Sequence, residues 1–262
     1  MNICVCVKQV PDTGEIKVDA AARKLVMDGV PSIVNPFDTY AQEAGVLLKE
    51  KLGGKLVVIA MGPEEAKNAI KTCLAVGADE GYLVLDPCYA ESDAMENGRV
   101  LAKAIQTVEE KEGLKFDLIL CGNQSADSGT AQVGGAIAEC LGLPQVTCAL
   151  DVTEANGELL VKREYDEGYD VLSPTLPAVV TVAKLPTEPR YPTIKSKMAA
   201  KKKAIPVLTL ADLPNLDAPD SSTKVLETYV PVREKNGVTL KGMETADAVN
   251  ELVRLLDEAK LV

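Results

Sequence analysis

Short apolar runs alternate along the chain with stretches whose apolar residues recur at helical spacing. Asn2–Val7 is an apolar run ahead of the polar Lys8-Gln9-Val10-Pro11-Asp12, which predicts a buried strand ending at a turn. Ile16–Val18 and Leu25–Met27 flank a polar connection and predict a small hairpin. Asn35-Pro36-Phe37-Asp38 marks a turn; behind it, Thr39–Leu52 spaces Tyr40, Ala44, Leu47 and Leu48 as a helix that Gly53-Gly54 stops. Leu56–Ala60 predicts a second core strand, and Met61-Gly62-Pro63 opens a helix reaching about Val76. Tyr82–Leu85 predicts a third strand and Ser92–Glu110 a helix built on Val100, Leu101, Ala104, Ile105 and Val108. Phe116–Leu120 predicts a fourth strand and Thr130–Leu141 the helix after it.

Strands alternating with helices of this length predict an α/β fold: a Rossmann-like, doubly wound, mostly parallel sheet. Pro144–Thr147 begins a further strand, and Ala178–Ala183 is another buried one. Asn156-Gly157 between Asp151–Glu154 and Leu159–Lys162 is a type I′ hairpin signal, so antiparallel strands join late. After Ala183 the prolines and Lys201–Lys203 read as an extended segment with little core of its own. Glu244–Leu261 reads as a terminal helix with Ala248, Leu252, Leu255, Leu256 and Ala259 on one face. Three regions follow: an α/β domain over 1–184, a loop over 185–204, and a C-terminal arm with its helix over 205–262.

In such a sheet the segments after the first, second and fourth strands emerge at one carboxyl edge. They are Lys8–Asp12, Met61-Gly62-Pro63 and Gly122–Val133, with Asn35–Asp38 near the same edge. The last of them, a small-residue polar turn between strand and helix, offers backbone N–H groups and a positive helix end to phosphate. It therefore reads as a nucleotide site or as an ordinary strand–helix connection.

Composition narrows the chemistry. A net charge of −11 over 262 residues, with aromatics at 3% and no Trp, argues against a nucleic-acid binder. The chain has no His, which removes histidine acid–base chemistry, Ser-His-Asp triads and histidine-based zinc sites together. Asp12, Asp38 and Asp127 sit at turns, where capping or turn formation is the ordinary role of Asp. No catalytic residue and no metal site is expected. Seven Cys without a C-x-x-C pair read as reduced thiols, and neither a signal peptide nor a membrane span is seen, so a cytoplasmic location is expected.

Taken together, V-K-Q-V-P-D at 7–12, N-P-F-D at 35–38, L-A-V-G-A-D at 74–79 and G-N-Q-S-A-D-S-G-T-A-Q-V-G at 122–134 resemble the β subunit of electron transfer flavoprotein. L-P-A-V-V-T-V at 176–182, E-P-R-Y-P-T-I at 188–194 and A-K-K-K at 200–203 extend the resemblance over nearly the whole chain. It implies a heterodimer with an α subunit that holds most of a redox FAD, carrying electrons from acyl-CoA or related dehydrogenases, as in fatty acid oxidation, to a quinone reductase or other acceptor. It also implies an adenine nucleotide bound by the β subunit itself. By resemblance its contacts fall on Cys6, Asn35, Pro36, Phe37, Asp38, Met61, Gly122, Asn123, Gln124, Ser125, Ala126, Asp127, Ser128, Gly129, Thr130, Ala131, Gln132 and Val133.

That nucleotide is AMP in most members and a second FAD, oxidising NADH, in the electron-bifurcating ones. Val7–Thr13 resembles the bifurcating branch, and Glu91–Leu101 the AMP carriers. The resemblance further implies that Arg190, Tyr191, Ile194 and Lys195 dock on dehydrogenases, that Arg163, Glu164 and Tyr165 lie near the α-bound flavin, and that the arm and terminal helix pack on the α subunit.

Overall fold

The structure is a computed structural model describing residues 1–19, 21–89, 92–218, 220–231 and 237–262. Strand β1 (Ile3–Val7) is followed by the short strands β2 (Gln9–Pro11), β3 (Lys17–Asp19), β4 (Lys24–Val26) and β5 (Ser32–Val34), then by helix α1 (Pro36–Leu52). The alternating part continues as β6 (Leu56–Met61), α2 (Lys67–Ala75), β7 (Glu80–Val84), α3 (Ala94–Glu112), β8 (Leu118–Gly122) and α4 (Val133–Leu141). Then come β9 (Gln145–Ala155), β10 (Glu158–Tyr165), β11 (Gly168–Leu172), β12 (Ala178–Val182), α5 (Ile194–Lys202), β13 (Val207–Leu208) and α6 (Thr245–Glu258). Contacts divide the chain into one unit of Met1–Lys17 with Leu25–Glu227 and another of Val18–Lys24 with Thr228–Val262.

The first unit is built on a nine-stranded sheet in the order β11-β10-β9-β12-β8-β1-β6-β7-β13. Among the described strands of this sheet, β10 alone runs against the others, pairing antiparallel with β9 and β11. The expected doubly wound fold is therefore present. At the hairpin, Asn156 and Gly157 have φ of 56° and 84°, the left-handed pair a type I′ turn needs. Alternation along β1 sends Ile3, Val5 and Val7 into a core shared with α1 and α2, and Cys4 and Cys6 into one shared with α3 and α4. Helices thus cover both faces; β1 is buried throughout, and β6 and β8 in all but their last residues.

Several boundaries differ from the periodic reading. Helix α4 starts at Val133 rather than Thr130, because Gly129 and Ala131 hold positive φ (62° and 54°) that a helix cannot absorb. Strand β8 lies two residues further along than expected, ending on Gly122. Residues 194–202, read as extended, are the helix α5; Thr193 and Ser196 form its capping box, and only Ala200 on it is buried, so no apolar stripe announced it. The following segment has more core than composition suggested: β13 pairs with β7, and Leu208 and Leu213 are each 1% exposed. β11 and β13 had no counterpart in that reading.

In the second unit, the Val230 N–H donates to Arg23 O at 3.2 Å. Helix α6 carries Arg254 between Glu251 and Glu258, and buries none of its residues fully. Among the described residues no helix is long and apolar enough to cross a membrane.

Candidate functional site

β1 and β8 lie side by side, yet the chain leaves β1 for a helix on one face and β8 for a helix on the other. Their outgoing loops diverge at the carboxyl edge and leave a crevice, the usual ligand position in such sheets. The side chains of Asn35 and Asp38 tie the two loops together across it. Asp38 Oδ2 accepts the Lys8 N–H at 2.6 Å, while Oδ1 accepts the Gly122 N–H at 3.1 Å and Asn35 Nδ2 at 2.9 Å. Asn35 Nδ2 also donates to Gln124 O at 2.8 Å, and Asn35 Oδ1 accepts the Ala126 N–H at 3.0 Å. Neither side chain caps α1; from the N-cap position Asn35 reaches the loop after β8, and from the first turn Asp38 reaches Lys8 and the end of β8. Asp12 does form a local turn, accepting the Gly14 N–H at 3.1 Å, and Asp127 pairs with Lys8 at 2.7 Å.

The clamp depends on Gly122. A Cβ there would lie 2.2 Å from Asp38 Oδ1, 2.8 Å from the Asp38 backbone nitrogen and 2.8 Å from Phe37 Cβ. Only a residue without a side chain lets the end of β8 approach α1 this closely. Burial pushes the Asp38 carboxyl up to about 7, against the N–H donors of Lys8, Asn35 and Gly122 and the Lys8 charge, which all pull it down. Burial opposes ionisation of Asp127, but hydrogen bonds from Lys8 and Ser125 and the Lys8 charge outweigh it, and the carboxyl lies below its ordinary value.

The residues expected to hold a nucleotide separate into two groups. Cys6, Met61 and Val133 pack toward α3 and α4 at the carboxyl ends of β1 and β6 and the start of α4. Asn35 and Asp38, buried, stand behind the loops as their support; Phe37 is half-buried and Pro36 exposed. Gly122, Asn123, Gln124 and Ser125 are half-buried, and Ala126 through Gln132 form the exposed rim. Ser125 and Ser128 share a hydrogen bond of 2.7 Å, and Gly129 N–H closes back on Ser125 O at 2.8 Å. Gln132, the residue before α4, makes no side-chain cap bond, and Gly134-Gly135 follow in the first turn. The helix start therefore presents backbone N–H groups with little side-chain cover, as an anion site requires. Lys8 joins this site although only its turn had been singled out; its place beside Gln9-Val10-Pro11 was the available signal.

Cys6 and Cys121 face each other in register. The Cys121 thiol is raised well above its ordinary value by its hydrogen bond to Cys6 and by burial, so it stays protonated and packs as a small apolar group.

The four residues expected to dock on partners behave differently from one another. Tyr191 and Ile194 are 92% and 81% exposed, and Lys195 is also exposed. Arg190 instead turns inward onto α1. Its Nε and Nη2 donate to Glu43 Oε1 at 3.0 and 2.9 Å, and its Nη1 donates to Glu50 Oε1 at 2.5 Å. Glu50 and Glu43 together raise the Arg190 pKa. The base of the arm is thus fixed to the sheet domain, and a cavity of about 350 Å³ lies beneath it, against Tyr40, Gln42, Cys73 and Val76. Arg163, Glu164 and Tyr165 are exposed at the end of β10.

The sequence matches the family described as electron transfer flavoprotein domain over residues 23–213. It is 40% identical to the electron transfer flavoprotein subunit beta of Thermoanaerobacterium thermosaccharolyticum, covering 100% of both chains. It is 42% identical to that of Megasphaera elsdenii, over 92% of each. Identity is 35% to subunit CarD of the caffeyl-CoA reductase-Etf complex of Acetobacterium woodii, again over 100% of both. With its doubly wound sheet and most of its length matched, the chain belongs to the electron transfer flavoprotein β-subunit family.

Proposed function

We propose that this chain pairs with an α subunit to form an electron carrier, and that the crevice between β1 and β8 holds an adenine nucleotide of its own, AMP. The supporting observation is the clamp by Asn35 and Asp38, which holds both crevice loops behind an uncapped helix start. The residues fit such a group: Asn123, Gln124, Ser125, Ser128, Thr130 and Gln132 offer donors and acceptors for ribose and base, and the α4 N-terminus, which no side chain caps, is left for phosphate. Lys8 is the adjacent cation, shared with Asp127.

FAD, lodged mainly in α, supplies the redox chemistry of the carrier when bound. This chain's residues hold, orient and shield, which needs no acid–base group and agrees with a sequence that lacks His. The exposed Tyr191, Ile194 and Lys195 serve as the contact with acyl-CoA or related dehydrogenases, and Arg190 keeps that contact in place by gripping α1. The end of β10 and the arm with α6, which exposes Leu252 and Val253, serve contact with the α subunit. Electrons leave to a quinone reductase or another acceptor, in the cytoplasm.

A second reading puts a second FAD in the crevice and makes the complex electron-bifurcating. Val7–Thr13, which resembles the bifurcating branch, favours it. Glu91, part of the segment that speaks for AMP, lies outside the described residues. Acid extraction of the purified heterodimer separates the readings: one FAD and one AMP are expected, two FAD would establish the second reading, and one FAD alone would remove the nucleotide from this chain.

A further inference from the structure

Thr181 is the single polar residue of β12, and it is 4% exposed. It faces the α4 side of the sheet, where a Cβ on Gly134 would stand 2.4 Å from its Cγ2, so the first turn of α4 rests on it. Its hydroxyl accepts the Cys148 N–H at 3.1 Å and donates to Asn123 Oδ1 at 3.3 Å. Cys148 is held at φ 56° where the β9–β12 register shifts, and its Sγ lies 3.4 Å from the same Asn123 Oδ1. The Asn123 N–H donates to Val182 O at 2.8 Å, so the backbone of this residue is fixed as well.

These contacts decide which end of the Asn123 amide points where. The Thr181 oxygen already receives the Cys148 N–H, and its own hydrogen must find an acceptor inside the protein. Asn123 Oδ1 is that acceptor. With the amide turned over, the Thr181 hydroxyl hydrogen would be left unpaired in a buried place. Oδ1 therefore faces the strand, and Nδ2, which has no hydrogen-bond partner among the described residues, faces away from it at the entrance to the loop.

We propose that Thr181, assisted by Cys148, is a positioning residue that fixes the Asn123 carboxamide as a hydrogen-bond donor to an acceptor atom of the bound adenine nucleotide. The inference rests on the reading of the crevice as a nucleotide site, and adds to it the atom that recognises and the group that aims it.

The test uses the heterodimer freed of nucleotide by mild denaturation and refolded, with AMP binding measured by calorimetry. T181V, which keeps the shape and loses the hydroxyl, is expected to weaken AMP binding about tenfold, the effect of one mis-aimed hydrogen bond. T181S, which keeps the hydroxyl, is expected to bind within about twofold of wild type, and N123D at least as weakly as T181V. The T181V/N123D double variant should bind no more weakly than N123D alone, because both act through one group. AMP binding by T181V equal to wild type overturns the proposal, as does T181S binding as weakly as T181V, which would assign the effect to packing. Should T181V not assemble, N123D carries the test from the loop, and wild-type affinity in that variant overturns it. A wild-type complex that binds neither AMP nor FAD beyond the α-bound flavin overturns the nucleotide site itself.

Discussion

Gly122→Ala is the sharpest probe of the clamp. Its φ lies outside the left-handed region, so alanine is conformationally acceptable there and any penalty comes from contact. The new methyl would sit 2.2 Å from Asp38 Oδ1 and 2.8 Å from both the Asp38 nitrogen and Phe37 Cβ. The carboxylate can swing away only by giving up its bonds to Gly122 and Asn35; the other two atoms move only if α1 moves. Overpacking of this kind costs roughly 1–3 kcal/mol, and a lost hydrogen bond to a charged acceptor about 1.5–3 kcal/mol. The stiffer unfolded chain returns about 0.4–1 kcal/mol. A net loss of about 3 kcal/mol is expected, which for a chain of this size lowers Tm by roughly 6–12 °C. Urea unfolding at pH 8, where the Asp38 carboxyl is ionised, followed by far-UV circular dichroism measures it, with Gly129→Ala as the control. Gly129 has φ 62° and open space around it, so its substitution carries backbone strain alone, about 1–2 kcal/mol. If Gly122→Ala is no more destabilising than Gly129→Ala, the close approach of β8 to α1 is not what the geometry says it is.

Three further outcomes are expected. Because the folded pKa of Asp38 is raised from 3.8 to about 7, the folded state keeps a proton that the unfolded chain has released, and this group's contribution falls as pH climbs from about 4 to 7. The difference between the wild-type and Asp38→Asn stability curves should shrink across that window by at most roughly 4 kcal/mol; a difference independent of pH would refute the assignment. Arg190→Ala leaves the Glu43 carboxylate, 5% exposed, without its guanidinium partner, with only the residue 190 backbone N–H still donating to it; stability should fall by about 3 kcal/mol, with faster proteolysis around 188–193, and unaltered proteolysis would show that the arm is held by other contacts. Ile194→Ala should slow electron transfer from the dehydrogenase while leaving the bound nucleotide in place, as stopped-flow kinetics and nucleotide extraction would report; unchanged kinetics would remove the docking role.

Periodicity located the central buried strands β1, β6, β8 and β12, because they are apolar on both faces and nothing competes with that signal. It failed where burial is thin. Helix α5 buries only Ala200, and β13 is two residues long, so neither leaves a pattern to find. At the site, the polar stretch 122–133 was visible as a turn, whereas 35–38, read as a turn ahead of the helix, is the N-cap and first turn of α1. The work Asp38 does was not visible, since its partners at Lys8 and Gly122 are distant in sequence and meet only when the sheet forms. Thr181 was hidden inside Ala178-Val179-Val180-Thr181-Val182, where a threonine reads as one more β-former. Arg190 carried a docking expectation, but no sequence pattern tells an arginine that meets a partner from one that grips its own helix.

Helix α1 touches both ends of this arrangement. Asp38 in its first turn closes the crevice, and Glu43 and Glu50 further along hold Arg190. The twelve-residue separation of Asp38 from Glu50 along an α-helix is about 18 Å. The crevice and the base of the arm are therefore anchored to opposite stretches of one helix, and a substitution that unseats α1 removes the support of both.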